Sequence, residues 1–154
     1  LVTGVQTCAL PIFCQLLHDE YGIEQFPIFQ ETITGKPFLP ERPDVHFNLS
    51  HTRGVVACVV DQKPVGIDVE RIRPYNDSLA RHVLSNDEYN QLQTQTEKDV
   101  AFVKMWTQKE SLLKLTGEGI RRELNSVLLN DSGYAFHTHV NREKGYVCTI
   151  CTLK

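Results

Sequence analysis

Two carboxylates, Asp68 and Glu70, stand two residues apart in the run VGIDVE. Side chains alternate across a β-strand, so both carboxylates leave the same face, roughly 6 to 7 Å apart at Cα. Like charges this close repel each other unless water or a cation separates them. Oxygen ligands at this spacing suit Mg²⁺, and the alternative is an exposed strand whose acids are simply solvated.

A third acid, Glu110, lies on the apolar stripe of a predicted helix. Val103, Trp106, Glu110 and Leu113 fall at i, i+3, i+7 and i+10, which is the spacing of a buried helix face. Burying a charge is costly unless it is paired or bound to metal. Glu110 is therefore either a catalytic acid or half of a partly buried pair with Lys114 at i+4.

Ser50 and His51 close a predicted strand with a hydroxyl and an imidazole, and both groups donate to phosphate oxygens. A Ser-His nucleophile is disfavoured, because adjacent residues point in different directions and no glycine elbow surrounds the serine. We interpret the pair as an anion contact, with Lys36 in the turn Gly35–Pro40 as a further cation.

Two other pairs give weaker signals. His137 and His139 share one face of a predicted strand, but nothing near them completes a metal ligand set, so we expect a structural or surface role. Cys148 and Cys151 form an isolated CxxC within a strand-like run, for which we expect no redox or metal function.

Composition narrows the class of protein. The 154 residues are about one domain's worth of chain, and 16 Lys and Arg against 19 Asp and Glu leave a net charge of −3, which gives no overall positive field for nucleic acid. No run approaches the roughly 20 apolar residues that span a membrane. Five cysteines suit a reduced protein better than a disulfide framework. We expect a cytoplasmic protein that binds neither nucleic acid nor membrane.

Residues 2–12 resemble the translation of a widely used sequencing-adapter oligonucleotide. We therefore expect residues 1–12 to be a non-native segment, as an expression tag would be. The natural reading would start near Phe13, within a protein that is truncated at its N-terminus.

The first elements are predicted by periodicity and turn chemistry. A short helix is expected from Phe13 to a glycine stop at Gly22, and the proline-rich stretch Gly35–Pro40 is expected to be a loop. A strand over Val45–Leu49 follows. The next two strand-like runs, separated by a four-residue turn, are expected to pair as a hairpin, over Gly54–Val60 and Val65–Glu70.

Two helices and three strand-like runs follow. Ser85 and Glu88 have the spacing of a capping box, and a longer helix is expected from about Glu97 to Thr116, ended by Gly117 and Gly119. The strand-like runs are Val127–Leu129, Tyr134–Val140 and Gly145–Thr152. The sum predicts an α+β fold with antiparallel strands.

Four strings, GKPFLP, FNLSHT, VGIDVE and WTQKESLLK, occur in this order. They resemble the signature segments of the Sfp-type 4′-phosphopantetheinyl transferases, and the last two are the specific ones. The resemblance implies Mg²⁺-dependent transfer of the phosphopantetheine arm of coenzyme A, the co-substrate, to a serine of an apo acyl or peptidyl carrier protein.

The resemblance also implies roles for single residues. Asp68, Glu70 and Glu110 would hold Mg²⁺ on the coenzyme A pyrophosphate, and Glu110 would also be the general base. Lys114 would contact the phosphates and steady the leaving charge. The 3′-phosphate and nearby nucleotide would be cradled by Lys36, Ser50 and His51.

Members of this family resemble monomeric pseudo-dimers of two α+β halves with coenzyme A between them. By that resemblance, residues 13–64 would be a partial N-terminal half, and residues 65–154 the C-terminal half with the metal site and catalytic helix. The small trimeric holo-carrier-protein synthases match less well, because this chain joins the FNLSHT and WTQKESLLK segments covalently.

Two other functions stay open from sequence. A metal-dependent phosphohydrolase would use the same carboxylates on water, and a noncatalytic fragment would bind coenzyme A or a carrier protein without turnover. Carrier proteins present an acidic helix, and four arginines could complement it or could simply be solvated: Arg71, Arg73, Arg121 and Arg122.

Overall fold

The computed structural model describes residues 6–118, 123–127, 129 and 133–154. The elements in chain order are α1 (Gln6–Tyr21), β1 (Gln30–Glu31), β2 (Pro37–Phe38), β3 (His46–Thr52), β4 (Val55–Asp61), β5 (Val65–Arg71), α2 (Asp77–Val83), α3 (Asn86–Gln93), α4 (Lys98–Thr116), a 3₁₀ turn (Leu124–Ser126), β6 (Tyr134–Asn141) and β7 (Tyr146–Leu153). None of the helices in these ranges has the length and apolarity needed to cross a bilayer.

The strands form antiparallel sheets. β3 and β4 pair as a hairpin, β5, β7 and β6 form a second sheet with β7 at its centre, and β1 and β2 make a small third one. The α+β class with antiparallel strands is thus confirmed.

The N-terminal helix covers the first sheet. Phe13 and Leu17 of α1 are fully buried and pack in one core cluster with Phe47 of β3. The predicted glycine stop is confirmed, since α1 ends at Tyr21 and Gly22 follows with φ +64°. The helix begins at Gln6, however, so part of the adapter-like segment is helical, because helix propensity and burial act on any sequence with suitable apolar spacing.

Gly66 sets the approach of α4 to β5. A Cβ at Gly66 would lie 1.9 Å from the backbone oxygen of Ser111 and 2.6 Å from the backbone nitrogen of Leu115. Only a residue without a Cβ permits this contact. The close approach holds the helix that carries Glu110 and Lys114 against the strand that carries the two carboxylates.

The two larger sheets meet through side chains. Asn48 Oδ1 accepts a hydrogen bond from the backbone N–H of Ile67 at 3.3 Å, and Ser50 Oγ accepts one from Val69 at 3.1 Å. These two amides belong to β5 and face β3. Polar side chains of β3 therefore take the place that backbone carbonyls hold in a continuous sheet.

The predicted caps are confirmed. Ser85 Oγ accepts from the Glu88 backbone N–H while Glu88 Oε2 accepts from the Ser85 backbone N–H, which is the reciprocal capping box of α3. Gly117 ends α4 with φ +74°, and its N–H donates to the Leu113 carbonyl. Gly119 lies outside the described residues.

Three local predictions are wrong. β4 pairs with β3 and β5 pairs with β7, so Gly54–Val60 and Val65–Glu70 do not form a hairpin. The strand predicted over Val127–Leu129 is absent at its two described residues, since Val127 lies in a bend and packs against α4 and Leu129 lies in a turn, while Leu128 is outside the described residues. The predicted loop Gly35–Pro40 contains the short strand β2. Helix α2 was not predicted, because its seven residues span barely two turns.

Candidate active site

Asp68 is the buried centre of the site. Only 4% of the residue is exposed, and its Oδ1 accepts hydrogen bonds from Lys114 Nζ at 2.6 Å and from Ser50 Oγ at 2.9 Å. Its Oδ2 is buried and has no hydrogen-bond partner among the described residues. A buried carboxylate oxygen without a partner is costly and indicates a position where a ligand binds.

Lys114 therefore pairs across the fold rather than along its own helix. Its Nζ also donates to Ser50 Oγ at 2.9 Å. The sequence left open a pair between Glu110 and Lys114, and the short contact that the structure shows for this ammonium is with Asp68 instead.

Glu110 is half-buried on α4. Burial raises the pKa of its carboxyl, and the negative charge of Asp68 raises it further, against the opposing effect of Lys114. The predicted apolar stripe is confirmed, since Val103 and Leu113 are buried and Trp106 is half-buried. Glu110 is thus a carboxyl group on the packed face of the helix with an increased proton affinity.

Glu70 lies two residues after Asp68 on β5 and points to the same face of the strand. Its pKa is raised first by burial and then by the charge of Asp68. Thr52 Oγ1 donates to Glu70 Oε2 at 3.5 Å, and Arg73 Nη2 lies 3.9 Å from the same oxygen. Besides burial, the charge of Asp68 raises the pKa of both Glu70 and Glu110, so the three predicted carboxylates lie close enough to repel one another.

This donor set fits a hard divalent cation. Carboxylate oxygens are the ligands that Mg²⁺ prefers, the Asp68 Oδ2 is unpaired, and the mutual repulsion of the three acids would be relieved by a positive ion. In the described part of the chain, no three His, Cys, Asp or Glu side chains converge as a complete metal site. The ammonium of Lys114 provides the local positive charge in this arrangement.

A cavity of about 310 Å³ adjoins these residues. Lys36, Glu110 and Lys114 line it together, along with Thr34, Gly35, Pro37, Asn48, Leu49, Leu113 and Gly117. Lys36 Nζ donates to the Leu115 carbonyl at 2.7 Å, at the negative end of α4, and burial lowers the pKa of Lys36. Lys36, Lys114 and the carboxyl group of Glu110, whose pKa is raised, thus line the same cavity.

The side chains of Ser50 and His51, predicted to contact one anion together, lie in different surroundings. Ser50 is 6% exposed and hydrogen-bonded to Asp68 and Lys114, whereas His51 is exposed. Both residues border a separate cavity of about 400 Å³ that is lined mainly by apolar residues around Phe29 and Phe47. Alternation along β3 explains the separation of the two side chains.

Lys109 is a buried charge that sequence reasoning missed. Its side chain is fully buried, and its Nζ lies 2.7 Å from Glu88 Oε2 and donates to the carbonyls of Leu124 and Val127. Glu88 also caps α3 and accepts from the Leu129 N–H at 3.4 Å. The sequence offered one sign of this buried charge, since Lys109 directly precedes Glu110 on the packed side of α4.

The remaining candidates are two histidines and two cysteines, of which Cys148 is affected by the site because the charge of Asp68, after burial, raises the pKa of its thiol. His137 and His139 are exposed on β6, as expected. Cys151 is buried and its pKa is raised to about 12 by burial, while Cys148 is half-buried three residues away, so the two point to opposite faces of β7.

The predicted arginine patch is divided. Arg71 is tied to backbone carbonyls, donating from Nε to Arg53 at 2.7 Å and from Nη1 to Lys144. Arg73 is exposed. Arg121 and Arg122 lie outside the described residues.

Comparison with known proteins gives matches that include the carboxylates and the helix described above. A family model described as "4'-phosphopantetheinyl transferase superfamily" matches residues 64–151. A "4'-phosphopantetheinyl transferase" from Bacillus subtilis is 39% identical over 118 residues, which are 74% of this chain and 49% of that protein. "4'-phosphopantetheinyl transferase HetI" from Nostoc is 34% identical over 125 residues, 75% of this chain and 53% of that protein. The chain spans about half the length of the curated relatives it matches.

A solved structure shares the fold. The holo-[acyl-carrier-protein] synthase of Thermotoga maritima superposes with a TM-score of 0.50 and 18% identity, over 59% of this chain and 62% of that one. This likeness confirms the α+β fold over the part of the chain that it covers.

Proposed function

Because this chain belongs to the 4′-phosphopantetheinyl transferase superfamily, we propose that it transfers the 4′-phosphopantetheine arm of coenzyme A to a serine of an apo acyl or peptidyl carrier protein. The observation that carries the proposal is the buried Asp68, with one oxygen on Lys114 and the other unpaired. Glu70 and Glu110 share its electrostatic environment.

Asp68, Glu70 and Glu110 would hold Mg²⁺. When bound, the ion would neutralise charge on the pyrophosphate of coenzyme A, which phosphoryl transfer requires more than covalent assistance. The three carboxylates are supported as ligands by the unpaired Asp68 oxygen and by their mutual effect on pKa.

Glu110 is the proposed general base. The serine oxygen of the carrier protein forms a bond to the phosphorus next to the pantetheine, its proton goes to Glu110, and the bond from that phosphorus to the adenosine-bearing phosphate breaks. Adenosine 3′,5′-bisphosphate leaves with the electron pair. Burial, the first cause of the raised pKa of Glu110, favours the protonated carboxyl group and so supports uptake of the serine proton.

Lys114 and Lys36 are the proposed phosphate contacts. Both line the cavity beside Glu110, and ammonium groups stabilise charge that develops on a leaving phosphate. His51 is an exposed candidate for the 3′-phosphate. In this proposal residues 13–64 form part of an N-terminal half and residues 65–154 the C-terminal half of a pseudo-dimer. The family match over residues 64–151 supports the bounds of the second half.

Intact-mass spectrometry tests the transfer directly. The full chain is incubated with coenzyme A, Mg²⁺ and a panel of apo acyl and peptidyl carrier proteins, with EDTA and Glu110→Gln as controls. We expect a metal-dependent gain equal to the mass of the phosphopantetheine arm. Cleavage of coenzyme A without carrier modification would indicate a phosphohydrolase, and binding of coenzyme A without either reaction would indicate a noncatalytic fragment.

A further inference from the structure

The polar side chains of β3 form a row facing β5. Asn48 and Ser50 bond backbone amides of β5, and Thr52 donates to the Glu70 carboxylate. Ser50 alone in this row contacts Asp68, at a position that is 6% exposed. The row therefore brings a hydroxyl from one sheet to the buried carboxylate of the other.

The hydrogen-bonding capacity of the Ser50 hydroxyl is fully used. A serine hydroxyl has one proton to donate and two lone pairs that accept. Ser50 donates to Asp68 Oδ1 at 2.9 Å and accepts from Val69 N–H at 3.1 Å and from Lys114 Nζ at 2.9 Å. No lone pair or proton remains for a phosphate oxygen. The phosphate contact that the sequence predicted for Ser50 is therefore not available to this hydroxyl.

The same three bonds fix the orientation of Asp68. The Val69 amide is part of the backbone of β5, so it holds Ser50 Oγ in place independently of any substrate. From that position Ser50 and Lys114 both bond Oδ1, and Oδ2 stays unpaired. Rotation of the carboxylate would break two hydrogen bonds at once.

We propose that Ser50 is a positioning residue that orients Asp68, so that Oδ1 pairs with Lys114 and Oδ2 is the oxygen offered to a divalent cation. This role rests on the proposed function only in assigning the cation to Asp68. Partners that hold a metal-binding carboxylate typically change metal affinity by about 10- to 100-fold when removed.

Divalent-metal binding and coenzyme A binding, measured separately, test the proposal. Mn²⁺, which takes similar oxygen ligands, is titrated into the full chain with saturating coenzyme A, and the free ion is followed by electron paramagnetic resonance. Coenzyme A affinity is measured by calorimetry in EDTA. The variants are Ser50→Ala, Ser50→Thr, which keeps the hydroxyl, and the matched control Ser111→Ala, whose buried hydroxyl donates to the Gln108 carbonyl of its own helix as its one bond to the described residues.

We expect Ser50→Ala to weaken Mn²⁺ binding by about tenfold or more, with coenzyme A affinity in EDTA unchanged. Ser50→Thr and Ser111→Ala should bind Mn²⁺ like the original chain. If Ser50→Ala does not fold by circular dichroism, Ser50→Cys makes the same measurement, because a thiol is a weak donor and acceptor of similar size.

Unchanged Mn²⁺ affinity in Ser50→Ala would overturn the proposal, as would failure of the original chain to bind Mn²⁺. Loss of coenzyme A affinity in EDTA with unchanged Mn²⁺ affinity would also overturn it and identify Ser50 as a phosphate contact. Neither measurement needs a carrier protein, so failure of the proposed transferase activity is a separate result.

Discussion

Gly66→Ala is expected to disturb stability and the site together. The added Cβ would lie 1.9 Å from the Ser111 oxygen, whereas such contacts essentially never fall below 3.0 Å. The added Cβ is fixed directly to the backbone of β5 and meets backbone atoms of α4, so no side-chain rotation can relieve the collision. α4 must therefore move from β5 by about 1 Å, the difference between these two distances.

That movement has a calculable effect on Asp68. Lys114 Nζ is 2.6 Å from Asp68 Oδ1, and after a retreat of about 1 Å the lysine keeps this contact only by changing its side-chain conformation, which disturbs the geometry of the pair. Overpacking of this kind costs about 1–3 kcal/mol. We expect Gly66→Ala to lower the free energy of unfolding by that amount and to reduce carrier modification even when the variant is fully folded.

Urea unfolding followed by circular dichroism measures the loss of stability, and intact-mass spectrometry measures the loss of transfer. Gly145→Ala is the matched control, since it also adds one methyl, at φ +65°, but meets nothing within 4 Å. Its cost is conformational, about 1–2 kcal/mol, and should leave transfer unchanged. If Gly66→Ala matched the original chain in both stability and transfer, the close approach of α4 to β5 would not be what positions the site.

Further perturbations give separate outcomes. Glu110→Gln should lower the rate of carrier modification by about 10²- to 10⁴-fold while keeping coenzyme A affinity, and equal rates would refute its role as the base. Lys109→Met should lower the free energy of unfolding in urea by about 3–5 kcal/mol, because Glu88 is left as a buried charge without its partner, and a change below about 1 kcal/mol would show that the pair is dispensable. Burial raises the pKa values of Cys58 and Cys151 from 9.0 to about 12, so the folded state holds these protons more tightly than the unfolded state. The stability that this provides is fully present below pH 9.0 and is lost as the pH rises to about 12. Urea unfolding across that range should therefore show a falling midpoint. A midpoint that does not fall would show that burial does not raise the pKa of these thiols.

Local features could be predicted from sequence because their causes lie within a few residues. The capping box at Ser85 and Glu88 and the glycine end of α4 at Gly117 follow from hydrogen bonds inside one turn. The common face of Asp68 and Glu70 follows from strand alternation. The half-buried position of Glu110 follows from helix periodicity.

Strand pairing could not be predicted in the same way. The short turn after β4 suggested a hairpin with β5, yet β4 pairs with β3 and β5 with β7. Both pairings satisfy the local turn chemistry. The choice between them depends on which arrangement buries α4 against β5 and α1 against β4, and this is a property of the whole chain.

The sequence by itself determined the inventory of the site: two carboxylates on one strand, a third on a helix, and nearby cations. Tertiary structure alone decided how they are paired. Ser50 bonds Asp68 across 18 residues, and Lys114 bonds Asp68 across 46 and Ser50 across 64. Spacing along the chain fixes only the direction in which a side chain leaves its own element, whereas the partner of a buried charge is set by where distant elements pack.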